Sequence, residues 1–182
     1  MIRRLLSSLF ANDLTGYEPR IIELEKPITI IGMSVDTTLK SIYRDVPRLG
    51  KQFKELKDTQ PIPNTKEPWA FAAVSRGYDP ATGAMTYMMG DVVTSAAEVP
   101  EGMTAFEIPA ITYAIFPVRP KNKAGWGMAI ANAKGYAYTQ WLPKSGYEPA
   151  GAIDDFEYHD ERSTRTHGPE IDLYVAIRRK TK

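Results

Sequence analysis

One order of elements runs through this chain twice. An apolar strand region at 21–35 leads to a stripe of Ile42, Val46, Leu49, Phe53 and Leu56, spaced four, three, four and three apart as a helix requires. Two β-like runs follow at 69–78 and 85–94, joined by Asp79, Pro80, Ala81, Thr82 and Gly83, a composition that supplies hairpin turn geometry. The order then restarts. A strand region at 104–118 precedes a helix at 123–141 with Trp126, Ile130, Ala137 and Trp141 on one side, and a second hairpin joins 153–158 to 170–178. Pro27-Ile28-Thr29 is echoed about 83 positions later by Ala110-Ile111-Thr112.

A unit with one helix covers only one face of its strands, so two such units must pair. The expected fold class is α+β: a duplicated βαββ unit with pseudo-twofold symmetry, antiparallel sheets, helices on one face and a ligand cleft between the halves. Residues 1–20 read as an N-terminal extension and 21–182 as the domain, with halves at 21–103 and 104–178. Pro47 would be costly inside a helix, so the first helix is expected to begin near Asp45 as cap, and Pro61 and Pro63 to end it. The last strand alternates Ile171, Leu173, Val175 and Ile177 against Glu170, Asp172, Tyr174 and Ala176.

Composition narrows the chemistry. With 23 Lys and Arg against 22 Asp and Glu, interspersed, the chain has no basic block to neutralise a phosphate backbone. Cysteine is absent, which removes disulfides, thiol catalysis and cysteine-ligated metals. The two histidines, His159 and His167, match no metal-ligand spacing, so neither metal nor cofactor is expected. No apolar run is long enough to span a bilayer, and residues 1–10 read as a short amphipathic helix rather than a signal peptide. No membrane association and a cytoplasmic location are expected.

Seven segments stand in the order of a known family: Val46-Pro47-Arg48-Leu49 leading to Phe53; Tyr87 three residues before Gly90; Val99-Pro100-Glu101-Gly102-Met103; Ile108-Pro109-Ala110 with Tyr113 and Phe116; Trp141-Leu142-Pro143 with Ser145-Gly146-Tyr147-Glu148; Phe156-Glu157-Tyr158; and Glu170-Ile171-Asp172-Leu173-Tyr174-Val175. Over residues 21–178 the chain resembles the GyrI-like small-molecule-binding domain, the effector-binding domain of multidrug-responsive regulators. Gly50 departs from the large aromatic common in relatives. The resemblance implies an aromatic-walled cavity between the two units with an acid inside, open to lipophilic cations. About 20 residues precede the domain and four follow, too few for a helix-turn-helix module, so no direct DNA binding is expected.

Glu157 matches the family's acidic position, and a carboxylate among rings attracts a lipophilic cation through both charge and ring faces. Glu170 and Tyr174 share the polar side of the last strand and are expected to face the cleft; two acids there would suit general acid or base work. Tyr87 and Met89 supply an aromatic and a pliable wall. Tyr113 and Tyr147 are wall candidates by family position, and Trp126, near Gly125 and Gly127, is a lid candidate. Three readings stay open: a binding protein for hydrophobic, cationic or planar compounds; a hydrolase of reactive cyclopropane-type electrophiles using Glu157 or Glu170 as base; and an inhibitory module with a protein partner.

Overall fold

The structure is a computed structural model that describes residues 13–121 and 123–181. The helix expected over residues 1–10 lies outside the described residues. In chain order the elements are β1 (Arg20–Glu23), β2 (Ile28–Thr38), α1 (Ile42–Thr59), β3 (Phe71–Arg76), β4 (Ala84–Val92), β5 (Thr104–Ile108), β6 (Thr112–Val118), α2 (Trp126–Tyr136), β7 (Tyr147–Pro149), β8 (Asp155–His159) and β9 (Ile171–Arg179). A π turn over Ala137–Trp141 extends α2.

The strands form one antiparallel sheet in the order β1-β6-β9-β8-β3-β4-β2-β5, with β7 on the last three residues of β9. That order mirrors the repeat. The seam between β8 and β3 is central, β9 matches β4, β6 matches β2, and β1 matches β5. The two units are therefore β2-α1-β3-β4 and β6-α2-β8-β9, joined edge to edge. The strand regions at 21–35 and 104–118 are each split, at Pro27 and at Pro109, because proline donates no ladder hydrogen bond. The freed edge strands cross over, β1 pairing with β6 and β5 with β2.

Both helices lie on one face. Under α1, Leu49 and Phe53 pack with Ile31, Tyr87 and Met89. The inner stripe of α2 is alanine only, Ala129, Ala133 and Ala137, and packs close on Ala114, Phe116, Leu173 and Val175. The opposite face has its own core, in which Val74, Met88, Tyr113 and Phe156 meet Ile22 from one edge of the sheet and Phe106 and Ile108 from the other. Where β2 crosses β4, Gly32 pairs with Gly90, and a Cβ on Gly90 would sit 2.6 Å from the Ile31 carbonyl oxygen. Only glycine permits that approach.

Helix α1 begins at Ile42, three residues before the expected cap, with Pro47 inside it. Asp45 does not cap the helix. It is buried and accepts a hydrogen bond from Thr37 Oγ1 (2.9 Å), with Arg44 and Arg48 paired to its other oxygen, so the first turn is tied to the end of β2. Those side-chain bonds offset the backbone bond that Pro47 removes.

Candidate functional site

Alternation in β8 puts Asp155, Glu157 and His159 on the helix face of the seam, two residues apart. Glu157 stands opposite Ala73 in β3 and Leu173 in β9, and Asp155 opposite Ser75 and Val175. From α2, four-residue spacing makes a ridge of Trp126, Ile130, Lys134 and Tyr138 alongside the alanine stripe. Its two polar members reach the acids. Lys134 Nζ lies 2.9 Å from Asp155 Oδ1, 2.9 Å from Glu157 Oε1 and 3.0 Å from Ser75 Oγ. The Tyr138 hydroxyl donates to Asp155 Oδ2 (2.9 Å), and the Tyr87 hydroxyl, from β4, donates to Glu157 Oε2 (3.0 Å).

This cluster is held away from water, both acid side chains being 3% exposed. Burial alone would lower the pKa of Lys134, but the Asp155 and Glu157 charges outweigh it and hold the ammonium above its ordinary value. Burial, reinforced by the neighbouring carboxylates, pushes the Tyr87 and Tyr138 phenols well up, so both remain donors. Burial lowers the pKa of His159 against the pull of Glu157 and Asp160, which keeps the imidazole neutral near pH 7.

Rings continue the seam from one helix to the other. Trp126 lies 5.8 Å from His159, His159 meets Phe71 edge-on at 5.2 Å, and Phe71 lies 6.3 Å from Phe53 on α1. An acid pair with a row of rings beside it can hold an organic cation by charge and by ring faces together.

The sequence candidates separate into groups. Glu157, Tyr87, Met89 and Trp126 share the helix face along the seam. Tyr174 and Tyr113 lie on the other face: Tyr174 stacks on Phe156 at 4.4 Å, and Tyr113 meets Phe156 edge-on at 5.2 Å while its hydroxyl donates to the Pro109 carbonyl. The reason is register. Leu173 and Val175, which pack under α2, share the face of Glu157, so the intervening Tyr174 must point away. Glu170 sits just before β9, bound by Arg119 and by Arg162 Nη1 (2.7 Å), apart from the acid cluster. Tyr147 stacks on Trp141 and lines a different cleft of about 470 Å3 with Glu18, Ile21 and Tyr136.

Sequence reasoning missed Lys134, Asp155, Tyr138 and Ser75. Two signals were available. Lys134 is the only charged residue between Lys123 and Lys144, in a helix otherwise apolar or small. Asp155 precedes Glu157 by two in a strand, which puts both acids on one face.

Comparison with known proteins bears on these features. Residues 20–177 match the family model of the Cass2 integron-associated effector binding protein. An integron cassette protein from Vibrio cholerae has a similar fold (TM-score 0.61, 14% identity, 89% of this chain and 97% of that one). So does SAV2435, solved bound to tetraphenylphosphonium (TM-score 0.66, 10% identity, 88% and 94%). EcmrR, solved in a complex with DNA, is similar over 98% of this chain and 64% of its own (TM-score 0.60, 12% identity). The transcriptional regulator BrlR of Pseudomonas aeruginosa is 35% identical over 97 residues, 52% of this chain and 34% of BrlR.

These matches correct the expectation of no direct DNA binding, since BrlR is a transcriptional regulator and EcmrR was solved in a complex with DNA. The exclusion rested on charge balance and on the residues flanking one domain. The chain spans about a third of BrlR, and in such regulators the domain is only part of the chain. For the membrane expectation, no helix among the described residues is long and apolar enough to cross a bilayer. The duplicated sheet and the long match over it make the chain a member of the Cass2 effector-binding family, within the GyrI-like effector-binding domains.

Proposed function

We propose that this chain binds hydrophobic organic cations on the helix face of the sheet, at the seam between the two units, with the positive centre held at Glu157 and Asp155. The observation that carries the reading is the buried acid pair, Asp155 and Glu157, which already holds one cation, Lys134 Nζ, at 2.9 Å from each. A charge kept from water is costly, and a lipophilic cation brings a counter-charge with little hydration to lose. Phe53, Phe71, Trp126 and the neutral His159 offer the apolar rings that such a ligand buries. SAV2435, similar in fold, was solved with tetraphenylphosphonium, which supports the same ligand class here. The regulator relatives support a sensing role in transcription, with the cation as signal.

A hydrolase would need a carboxylate oxygen free to take a proton from water. Glu157 Oε1 faces Lys134 and Oε2 accepts from Tyr87, an arrangement that favours holding charge over moving protons.

Titration calorimetry with tetraphenylphosphonium tests the reading. Glu157→Gln keeps the shape and removes the charge, and should weaken binding about tenfold or more. Equal affinity in the two proteins would refute it.

A further inference from the structure

Lys134 already holds the position that a cationic ligand would take. Its Nζ contacts Asp155 Oδ1, Glu157 Oε1 and Ser75 Oγ at 2.9, 2.9 and 3.0 Å, and stands 5.7 Å from the centroid of the Tyr87 ring. Two acids, a hydroxyl and a ring face are what a bound ammonium or phosphonium would ask of a site. We propose that Lys134 is a tethered competitor, a built-in cation that a ligand must expel from the acid pair before it binds.

Three observations carry this beyond a structural ion pair, given the binding site argued above. First, each acid divides its oxygens. Tyr87 keeps Glu157 Oε2 and Tyr138 keeps Asp155 Oδ2, so both carboxylates stay anchored when Lys134 leaves, and each still presents one oxygen. Second, the ammonium is what Asp155 Oδ1 faces: Nζ lies 2.9 Å from that atom, an ion-pair contact that another cation can take over. Third, the exposures are unequal. The Lys134 side chain is 21% exposed and the acids 3%, so the lysine reaches in from the solvent side on a flexible stem and closes the acids behind it.

The exchange conserves charge. A monocation enters as an ammonium leaves for water, so the acid pair is never left without a counter-ion and the displaced lysine regains its hydration. This defines the ligand more narrowly than charge does. Expulsion is driven by a cation that is poorly hydrated and carries enough apolar surface to replace the lysine stem. Small hydrated cations bring neither. It also places the response on α2, whose backbone passes from α to π geometry at Ala137, three residues beyond Lys134, within the segment that carries Tyr138.

Two measurements with tetraphenylphosphonium test the proposal. In titration calorimetry, Lys134→Met removes the competitor and keeps an apolar stem, and should bind about tenfold or more tighter than the wild type. In the wild type, acetylation by N-hydroxysuccinimidyl acetate, read by mass spectrometry, should be slow at Lys134 and rise severalfold at saturating cation. This second readout decides the matter alone if Lys134→Met fails to fold. Wild-type binding with Lys134→Met no tighter, or with Lys134 no more reactive in the complex, overturns the competitor and leaves the cation site standing. Binding by neither protein removes the site, and the competitor with it.

Discussion

The Tyr87 hydroxyl donates to Glu157 Oε2 over 3.0 Å, joining one unit of the repeat to the other across the central seam. Tyr87 lies on β4 and Glu157 on β8, two strands apart, and the bond crosses above β3. Tyr87→Phe leaves one oxygen of a buried carboxylate without its donor. Urea unfolding should show a loss of about 1.5–3 kcal/mol, the range for hydrogen bonds to charged groups.

Gly50 and Gly90 should respond in opposite directions to the same change. Gly90→Ala drives a methyl against the Ile31 carbonyl, 2.6 Å from where the Cβ would be built, and should cost about 3 kcal/mol or more. Gly50 lies within α1, where the nearest atoms to an added Cβ are the Met89 sulfur and methyl at 3.8 Å. Gly50→Ala should stabilise by about 0.5–1 kcal/mol through helix propensity. Thermal unfolding of the two variants separates them.

Acid should weaken the fold through His159. Burial depresses its folded pKa below the ordinary 6.5, so below that pH the unfolded chain takes up a proton that the folded chain resists. The contribution is complete above pH 6.5 and falls away as the pH drops through the depressed folded value, at no more than about 1.4 kcal/mol per pH unit. His159→Phe keeps a ring between Phe71 and Trp126 and removes the titration. Stability measured from pH 7.5 to 5 should fall less steeply in the variant than in the wild type.

Arg162 gathers the acids at the start of β9. It bonds Asp160, Glu170 and Asp172, the last at 2.7 Å, with Asp172 largely buried. Arg162→Ala should cost about 1–3 kcal/mol, because it strands part-buried carboxylates. Its cation affinity should match that of the wild type, since none of these groups touches Glu157. Calorimetry on the same sample checks both statements.

How far the chain could be read follows from these residues. The duplication and both hairpins were legible, because helical and strand periods are written locally in Leu49, Phe53, Ile171 and Leu173. The edge strands were not. Pro27 and Pro109 mark breaks, but which strand each freed segment joins depends on the other unit. Glu157 is legible from its family position, and Lys134 and Asp155 from local pattern: a lone charge in an apolar helix and an acid two residues before another in a strand. Tyr174 was assigned to the cleft because the apolar side of β9 was taken as the side away from it. In the folded protein the helices and the acid pair share that apolar side. Local alternation defines two faces, and only packing decides which one bears the site.

A crystal structure of the tetraphenylphosphonium complex would show where the cation sits. The phosphonium should lie at the seam between α1 and α2, with phenyl rings near Phe71 and Trp126, the positive centre facing Glu157, and Lys134 turned out to solvent. A cation lodged instead in the cleft beside Glu18 and Trp141, with the Lys134, Asp155 and Glu157 contacts intact, would contradict it.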